Sequence, residues 1–275
     1  MILSDISMSK HHITFNTIEK IMSFGCSFTE GIGMHCSKYF SWLEKYHPEK
    51  LKNYTEFEFY QRYYIDKSYP ALLANLLGCS YENHGIGCSS NELIIKTLHE
   101  KTSSVLDGSK ILITIQPTFM HRMHVYDSLN NEHLRFNNLY TPQGNLYKDI
   151  PSNEYYEMYL KYFFNDIYEL NKLVNYLFTI IDSLTSKNFT VLILPYQNPM
   201  QLKYSFLKSK YVCNEFLNVE ETKTYTSIFD LLEISKLCLK DLHNIQWDDS
   251  HANETGHEQI AKSIYKHLKK YYNEN

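Results

Sequence analysis

The chain has 275 residues, 43% hydrophobic and 21% charged, enough for one large globular domain with a substantial core. A formal net charge of −4 and only three arginines (Arg62, Arg122 and Arg135) exclude the basic footprint of a nucleic-acid-binding domain. No run reaches the roughly 18 apolar residues of a membrane span, and MILSDISMSKHHITF lacks the basic-then-apolar layout of a signal peptide, so the chain reads as soluble and cytoplasmic.

Short apolar runs alternate with helical periodicity. Ile18–Phe24 predicts a first strand, and Tyr69–Leu77 (YPALLANLL) a helix with Pro70 in its first turn and Gly78 after its end. Ser80–Ile86 predicts a second strand. Ser89 or Ser90 then caps a helix from Asn91 towards Val105. Lys110–Ile115 (KILITI) is a third strand, stopped by Pro117. Between Glu154 and Leu184, apolar residues at 160, 163, 167, 170, 174, 177, 181 and 184 share one helical face. Phe189–Leu194 (FTVLIL) is a fourth strand. A last helix starts at Thr255 with Ile260, Ile264, Leu268 and Tyr271 in one stripe.

This alternation predicts a three-layer α/β/α domain, flavodoxin-like, around a mostly parallel sheet. KILITI and FTVLIL are apolar enough for burial on both faces. Three polar, aromatic-rich segments, roughly 32–68, 119–153 and 196–230, each follow a strand, where the ligand crevice of such a sheet lies. They are expected as insertions near the active site. No repeat or linker divides the chain, so residues 1–275 are expected to form a single domain. The 24 tyrosines suit either a sugar cleft or amphipathic packing. Six cysteines without CxxC pairing are expected as thiols.

Four stretches at strand ends or a helix start carry the chemistry: FGCSFTEG (Phe24–Gly31), NHGIGCSSN (Asn83–Asn91), IQPTFMHRM (Ile115–Met123) and DDSHANETGHEQIA (Asp248–Ala261). A serine hydroxyl needs a base to act as a nucleophile, and the base needs an orienting group. Ser27 can be the nucleophile, His251 the base and Asp248 its orienter, with Asp249 the alternative. The backbone N–H groups of Ser27 and Cys88 are candidate oxyanion donors.

In these blocks the chain resembles the SGNH hydrolase family, also called GDSL-like lipases/acylhydrolases. FGCSFTEG, NHGIGCSSN and DDSH followed by ANETGH match its first, second and last blocks in order. The resemblance implies Ser27 as nucleophile and Asp248-x-x-His251 as the acid–base pair. The family usually has glycine where Cys88 stands. Its third block supplies an oxyanion-hole asparagine from Gly-x-Asn-Asp, whereas this chain has IQPT; Gln116, which carries the same amide donor, is the candidate third oxyanion donor in its place.

Cys26 has no electropositive surroundings and is expected as a packing residue. His121 and His124 lack the further ligands of a metal site, so neither metal nor cofactor is expected. Arg122 is either a binder of a substrate carboxylate or phosphate, or a surface arginine paired with an acid. His257 is assigned to the start of the last helix. The expected activity is Ser-His-Asp hydrolysis of a small acyl ester, with an acetylated saccharide as the implied substrate class. Two alternatives stay open: an O-acyltransferase with the same triad, and a non-catalytic saccharide-binding protein.

Overall fold

In a computed structural model, the structure describes residues 18–31, 43–45, 47–59, 64–118, 120, 122–128, 132–136, 153–194, 213, 252 and 254–272. Strand β1 is Lys20–Gly25, β2 is Ser80–Gly85 and β3 is Ile111–Ile115. Strands β4 (Met123–Asp127) and β5 (Glu132–Phe136) form a hairpin, and β6 is Thr190–Ile193. The helices are α1 (Ser27–Glu30), α2 (Tyr69–Leu77), α3 (Asn91–Thr102), α4 (Asn153–Tyr162), α5 (Asp166–Ser186) and α6 (Glu254–Tyr272). Short helical turns at Pro48–Leu51, Glu56–Glu58 and Tyr64–Lys67 lie between α1 and α2.

Four strands form one parallel sheet in the order β2-β1-β3-β6. Lys20 sits opposite Ser80 on one side and Ile111 on the other, and Leu112 sits opposite Thr190. The period-two alternation of side chains divides the core into two halves. Ile21, Leu112 and Leu192 face α2 and α6, where they meet Tyr69, Leu73, Ile260, Ile264 and Leu268. Met22, Phe24, Ile113, Ile115, Val191 and Ile193 face the other way, towards Ile94 and Leu98 of α3 and Leu173, Leu177, Ile181 and Leu184 of α5. Helices therefore cover both faces, giving the predicted three-layer α/β/α arrangement. Full burial of each aliphatic side chain stabilises by roughly 1.5–3 kcal/mol, so the stripe Ile260, Ile264, Leu268 holds α6 firmly on the sheet.

Two local signals explain the boundaries. Gly78 takes φ 69 as it ends α2, and Ser90, rather than Ser89, caps α3 by accepting from the Leu93 N–H at 3.3 Å. The single face expected over 154–184 is two helices. Asn165 accepts the Tyr168 N–H at 3.0 Å, and this local cap starts α5 afresh after α4 has ended. The β4–β5 hairpin inside the segment after β3 was not anticipated. It is antiparallel, with His124 opposite Arg135 and Tyr126 opposite His133.

Lys172 of α5 joins Glu92 of α3 and Glu169 of its own helix, both at 2.9 Å. Burial raises the Glu92 pKa, but hydrogen bonds from Lys172, the backbone and Ser90, with the Lys172 charge, together outweigh it and hold this carboxyl below its ordinary value. A lowered folded pKa means that the stabilisation is present above the unfolded pKa, near 4.5, and is lost as pH falls through the folded value. Solvent screening limits it to about 1 kcal/mol or less. Glu92→Gln is expected to flatten the fall in melting temperature between about pH 5 and pH 3; an unchanged acid limb would assign the sensitivity to other groups.

Candidate active site

The turn after β1 is built from its two glycines and a four-residue helix. Cys26 is extended (φ −97, ψ −155), and its carbonyl accepts from the N–H groups of Thr29 (2.9 Å) and Glu30 (3.0 Å). Gly31, at φ 96, ends α1 by donating its N–H to the Ser27 carbonyl at 2.9 Å. Ser27 is thus the first residue of α1, at the carboxyl end of the sheet, and is 3% exposed. A Cβ on Gly25 would stand 2.0 Å from Thr29 Oγ1, and one on Gly85 would stand 2.3 Å from the Glu30 backbone nitrogen. Both glycines therefore exist for close approach: they let α1 sit directly on the ends of β1 and β2.

A buried polar cluster holds this turn from below. Thr29 Oγ1 donates to Gln116 Oε1 at 2.5 Å and lies 3.1 Å from the Tyr69 hydroxyl. Asn83 Nδ2 donates to the Thr29 carbonyl at 2.8 Å, and its Oδ1 accepts from the Gly85 N–H at 3.0 Å. Thr114 Oγ1 donates to Ser23 Oγ at 2.7 Å in the same region of the sheet. Burial pushes the Tyr69 phenol far above its ordinary range, so it stays neutral and can donate.

Gln116 has a definite place. Its N–H donates to the Phe24 carbonyl at 2.8 Å, which carries the β1–β3 ladder one residue past β3. Strand alternation then turns its side chain to the face of Leu112 and Thr114. The carboxamide is fully buried, with Oε1 bonded to Thr29 and Nε2 3.8 Å from Cys26 Sγ. Cys26 itself is buried in the core beside Phe28, as a packing residue would be.

The second block turns from β2 into α3 at Gly87 and Cys88. Cys88 has φ 60, in the left-handed region that glycine adopts without strain. Restoring glycine should relieve roughly 1–2 kcal/mol of local strain against roughly 0.5–1 kcal/mol of added chain entropy in the unfolded state. Cys88→Gly is expected to gain about 0.5–1 kcal/mol in urea denaturation, and Cys88→Val to lose about 1–2 kcal/mol. Equal stability in all three proteins would show that the turn carries no strain.

The third block is tied to the second by a contact that sequence reasoning missed. Asn91 Oδ1 accepts from the Thr118 N–H at 2.8 Å, and Asn91 Nδ2 donates to the Thr118 carbonyl at 3.2 Å. The one available signal was the position of Asn91 after two serines at a helix start. Arg122 donates from Nη1 to Thr118 Oγ1 at 2.7 Å and is 6% exposed, so it is a buried arginine of the β3–β4 loop rather than a surface one. A histidine–carboxylate pair also went unforeseen: His84 Nε2 lies 3.0 Å from Glu82 Oε2, and the His84 ring stacks on Phe24 at 4.9 Å. The hydrogen bond from Lys20 holds the Glu82 carboxyl below its ordinary range.

Asp248, Asp249, His251 and His121 lie outside the described residues. Ala252, next to His251 in sequence, is fully buried in the same core cluster as Cys26 and Phe28, the residues flanking Ser27. Among the described residues, no group of three or more His, Cys, Asp or Glu side chains could hold a metal. No described helix is long and apolar enough to cross a membrane.

No family model and no curated protein matches the chain. Several solved structures are similar to it, two of them as follows. One is a protein from Desulfitobacterium hafniense DCB-2 assigned to the lipolytic G-D-S-L family, 11% identical over 90% of this chain and 99% of the other, with a TM-score of 0.41. The second is a lipolytic G-D-S-L family protein from Veillonella parvula DSM 2008, also 11% identical, covering 90% of this chain and 97% of its own, with a TM-score of 0.41.

The strand order places these residues together for a topological reason. β2 lies on one side of β1 and β3 on the other, so connections leave β1 and β3 in opposite directions and open a crevice at their carboxyl ends. Ser27 follows β1 at that crevice, and Gln116–Thr118 follow β3. A hydroxyl fixed there can attack an electrophilic carbon once a base is supplied.

Proposed function

We propose that the chain is a serine ester hydrolase. The observation that carries the reading is the seat of Ser27: a strand-to-helix turn set on Gly25 and Gly85 and held by Thr29, Asn83 and Gln116. Such a seat fixes a nucleophile in one geometry, the condition for efficient attack. Ser27 Oγ attacks the ester carbonyl carbon. His251 takes the serine proton and returns it to the departing alcohol, and Asp248 orients His251. Water, activated by the same histidine, releases the acid and restores Ser27.

The Ser27 and Cys88 N–H groups hold the oxyanion. Gln116, with its amide engaged beneath the turn, supports the nucleophile from below. An oxyanion hole short of one donor costs roughly 2.7–4 kcal/mol, so slow turnover of simple esters is expected. Ser27 is nearly buried, which suits a small acyl group such as acetyl on a saccharide hydroxyl. Arg122, in the β3–β4 loop that follows Gln116, is assigned to substrate binding through a carboxylate or phosphate. The engagement of Gln116 equally favours a second reading, saccharide binding without turnover.

Hydrolysis of p-nitrophenyl acetate by the wild type, Ser27→Ala and His251→Ala tests the first reading. Saccharide binding that survives Ser27→Ala, with no turnover in any of the three, would replace it with the second.

A further inference from the structure

Tyr69 is the first residue of α2, and its backbone N–H is one of the donors that a helix start leaves without an intrahelical acceptor. Ser68, the residue placed to cap it, makes no side-chain cap and instead donates its hydroxyl to the Ile65 carbonyl at 2.8 Å. The acceptor comes from 188 residues away: the Tyr69 N–H donates to His257 Nδ1 at 3.1 Å. His257 is fully buried in α6, and its ring lies nearly parallel to that of Tyr69, with centroids 6.2 Å apart. An accepting Nδ1 requires the neutral ring with its proton on Nε2.

The other end of the same residue reaches the nucleophile turn. The Tyr69 hydroxyl lies 3.1 Å from Thr29 Oγ1, on the helix that begins with Ser27. One fully buried residue, by its hydroxyl at one end and its backbone N–H at the other, therefore connects α1 to α6, and α6 directly follows the stretch that carries Asp248 and His251 in sequence. We propose that Tyr69 and His257 are positioning residues that set the register between Ser27 and the acid–base segment. The inference rests on the hydrolase reading above. Misplacing reacting groups by about 1 Å costs on the order of 100-fold in rate, so a strut of this kind matters to chemistry even where the fold survives.

The test measures how fast a fluorophosphonate probe labels Ser27, per folded molecule, in the wild type, His257→Leu, His257→Asn and Tyr69→Phe. Leucine fills the space without accepting a hydrogen bond; the asparagine amide oxygen can take the place of Nδ1. Hydrogen exchange at the Tyr69 amide reports the bond itself. His257→Leu is expected to slow labelling roughly 10- to 100-fold and to lower kcat with KM changed less than about two-fold, with the Tyr69 amide deprotected. His257→Asn should recover most of the rate. Tyr69→Phe, cut only at the Thr29 end, should fall in between.

A His257→Leu protein that melts earlier yet labels at the wild-type rate would overturn the proposal and leave a purely structural bond. Should that variant fail to fold, wild-type labelling by Tyr69→Phe would overturn it instead. A wild type unlabelled at Ser27, with a His257-dependent protected amide, would remove the hydrolase reading and the positioning role with it, leaving only the hydrogen bond.

Discussion

Ser27→Ala is expected to reduce p-nitrophenyl acetate turnover to background, a loss on the order of 10⁴- to 10⁶-fold in kcat. The size follows from the division of labour. Removing the nucleophile leaves only the oxyanion donors and substrate binding, which in serine hydrolases are worth roughly 10³- to 10⁴-fold over water. His251→Ala should fall by a similar factor, because an unassisted serine hydroxyl is almost fully protonated at neutral pH. The double variant should be little worse than either single one, since the two groups act in one step. Equal activity in all three proteins would place any hydrolysis elsewhere on the surface, and the His84–Glu82 pair would then be the next acid–base group to alter.

Gly85→Ala is expected to be more damaging than a methyl group added at Gly25, Gly78 or Gly108. The new Cβ would stand 2.3 Å from the Glu30 nitrogen and 2.7 Å from the Thr29 carbonyl carbon, both backbone atoms of α1. A backbone cannot rotate away as a side chain can, so α1 must lift from β2 and break the Asn83 bond to Thr29. Overpacking of this kind costs about 3 kcal/mol, at the upper end of its usual range. For a chain of this size that is a fall of roughly 6–12 °C in melting temperature. Gly78→Ala is the control: at φ 69 with nothing within 4 Å of a new Cβ, it meets only the left-handed backbone penalty, about 1 kcal/mol. Thermal melts of the two variants separate the effects. A Gly85→Ala protein that melts no earlier than Gly78→Ala would mean that α1 is not seated against β2.

Much of this architecture was legible because burial leaves a plain record in sequence. KILITI and FTVLIL are apolar on both faces because helices cover both faces, and all the described strands of the main sheet lie within a residue or two of their predicted ends. The break at Asn165 was hidden because the apolar stripe continues across it, and a stripe does not report a side chain that captures a backbone N–H. The β4–β5 hairpin lies in a polar segment without the Asn-Gly or Asp-Gly pair that most clearly announces a hairpin.

At the site, the positions of Ser27 and Cys88 followed from small residues at strand ends. The partners did not. Asn91 with Thr118 and Thr29 with Gln116 are bonds across 27 and 87 residues of sequence. No local pattern encodes them. Gln116 was partly decipherable after all: strand alternation carried on from Thr114 points its amide downward, towards Thr29. Arg122 reads from sequence as either a substrate binder or a surface arginine, and its burial and the Thr118 contact remove the second.

The core beneath α2 and α6 joins Ile18, Ile21 and Phe28 to Ile260, Ile264 and Leu268. The first strand of the sheet thus finds its last cover near the far end of the polypeptide. At ribosomal speeds of about 5–20 residues per second, the roughly 240 residues between Phe28 and Leu268 take on the order of 10–50 s to emerge. For that time the nascent chain carries an apolar sheet face covered only in part, by α2. Its yield in the cell should therefore depend on holdase chaperones that guard this face during translation, and a polypeptide stopped short of α6 should aggregate rather than persist as a smaller folded unit.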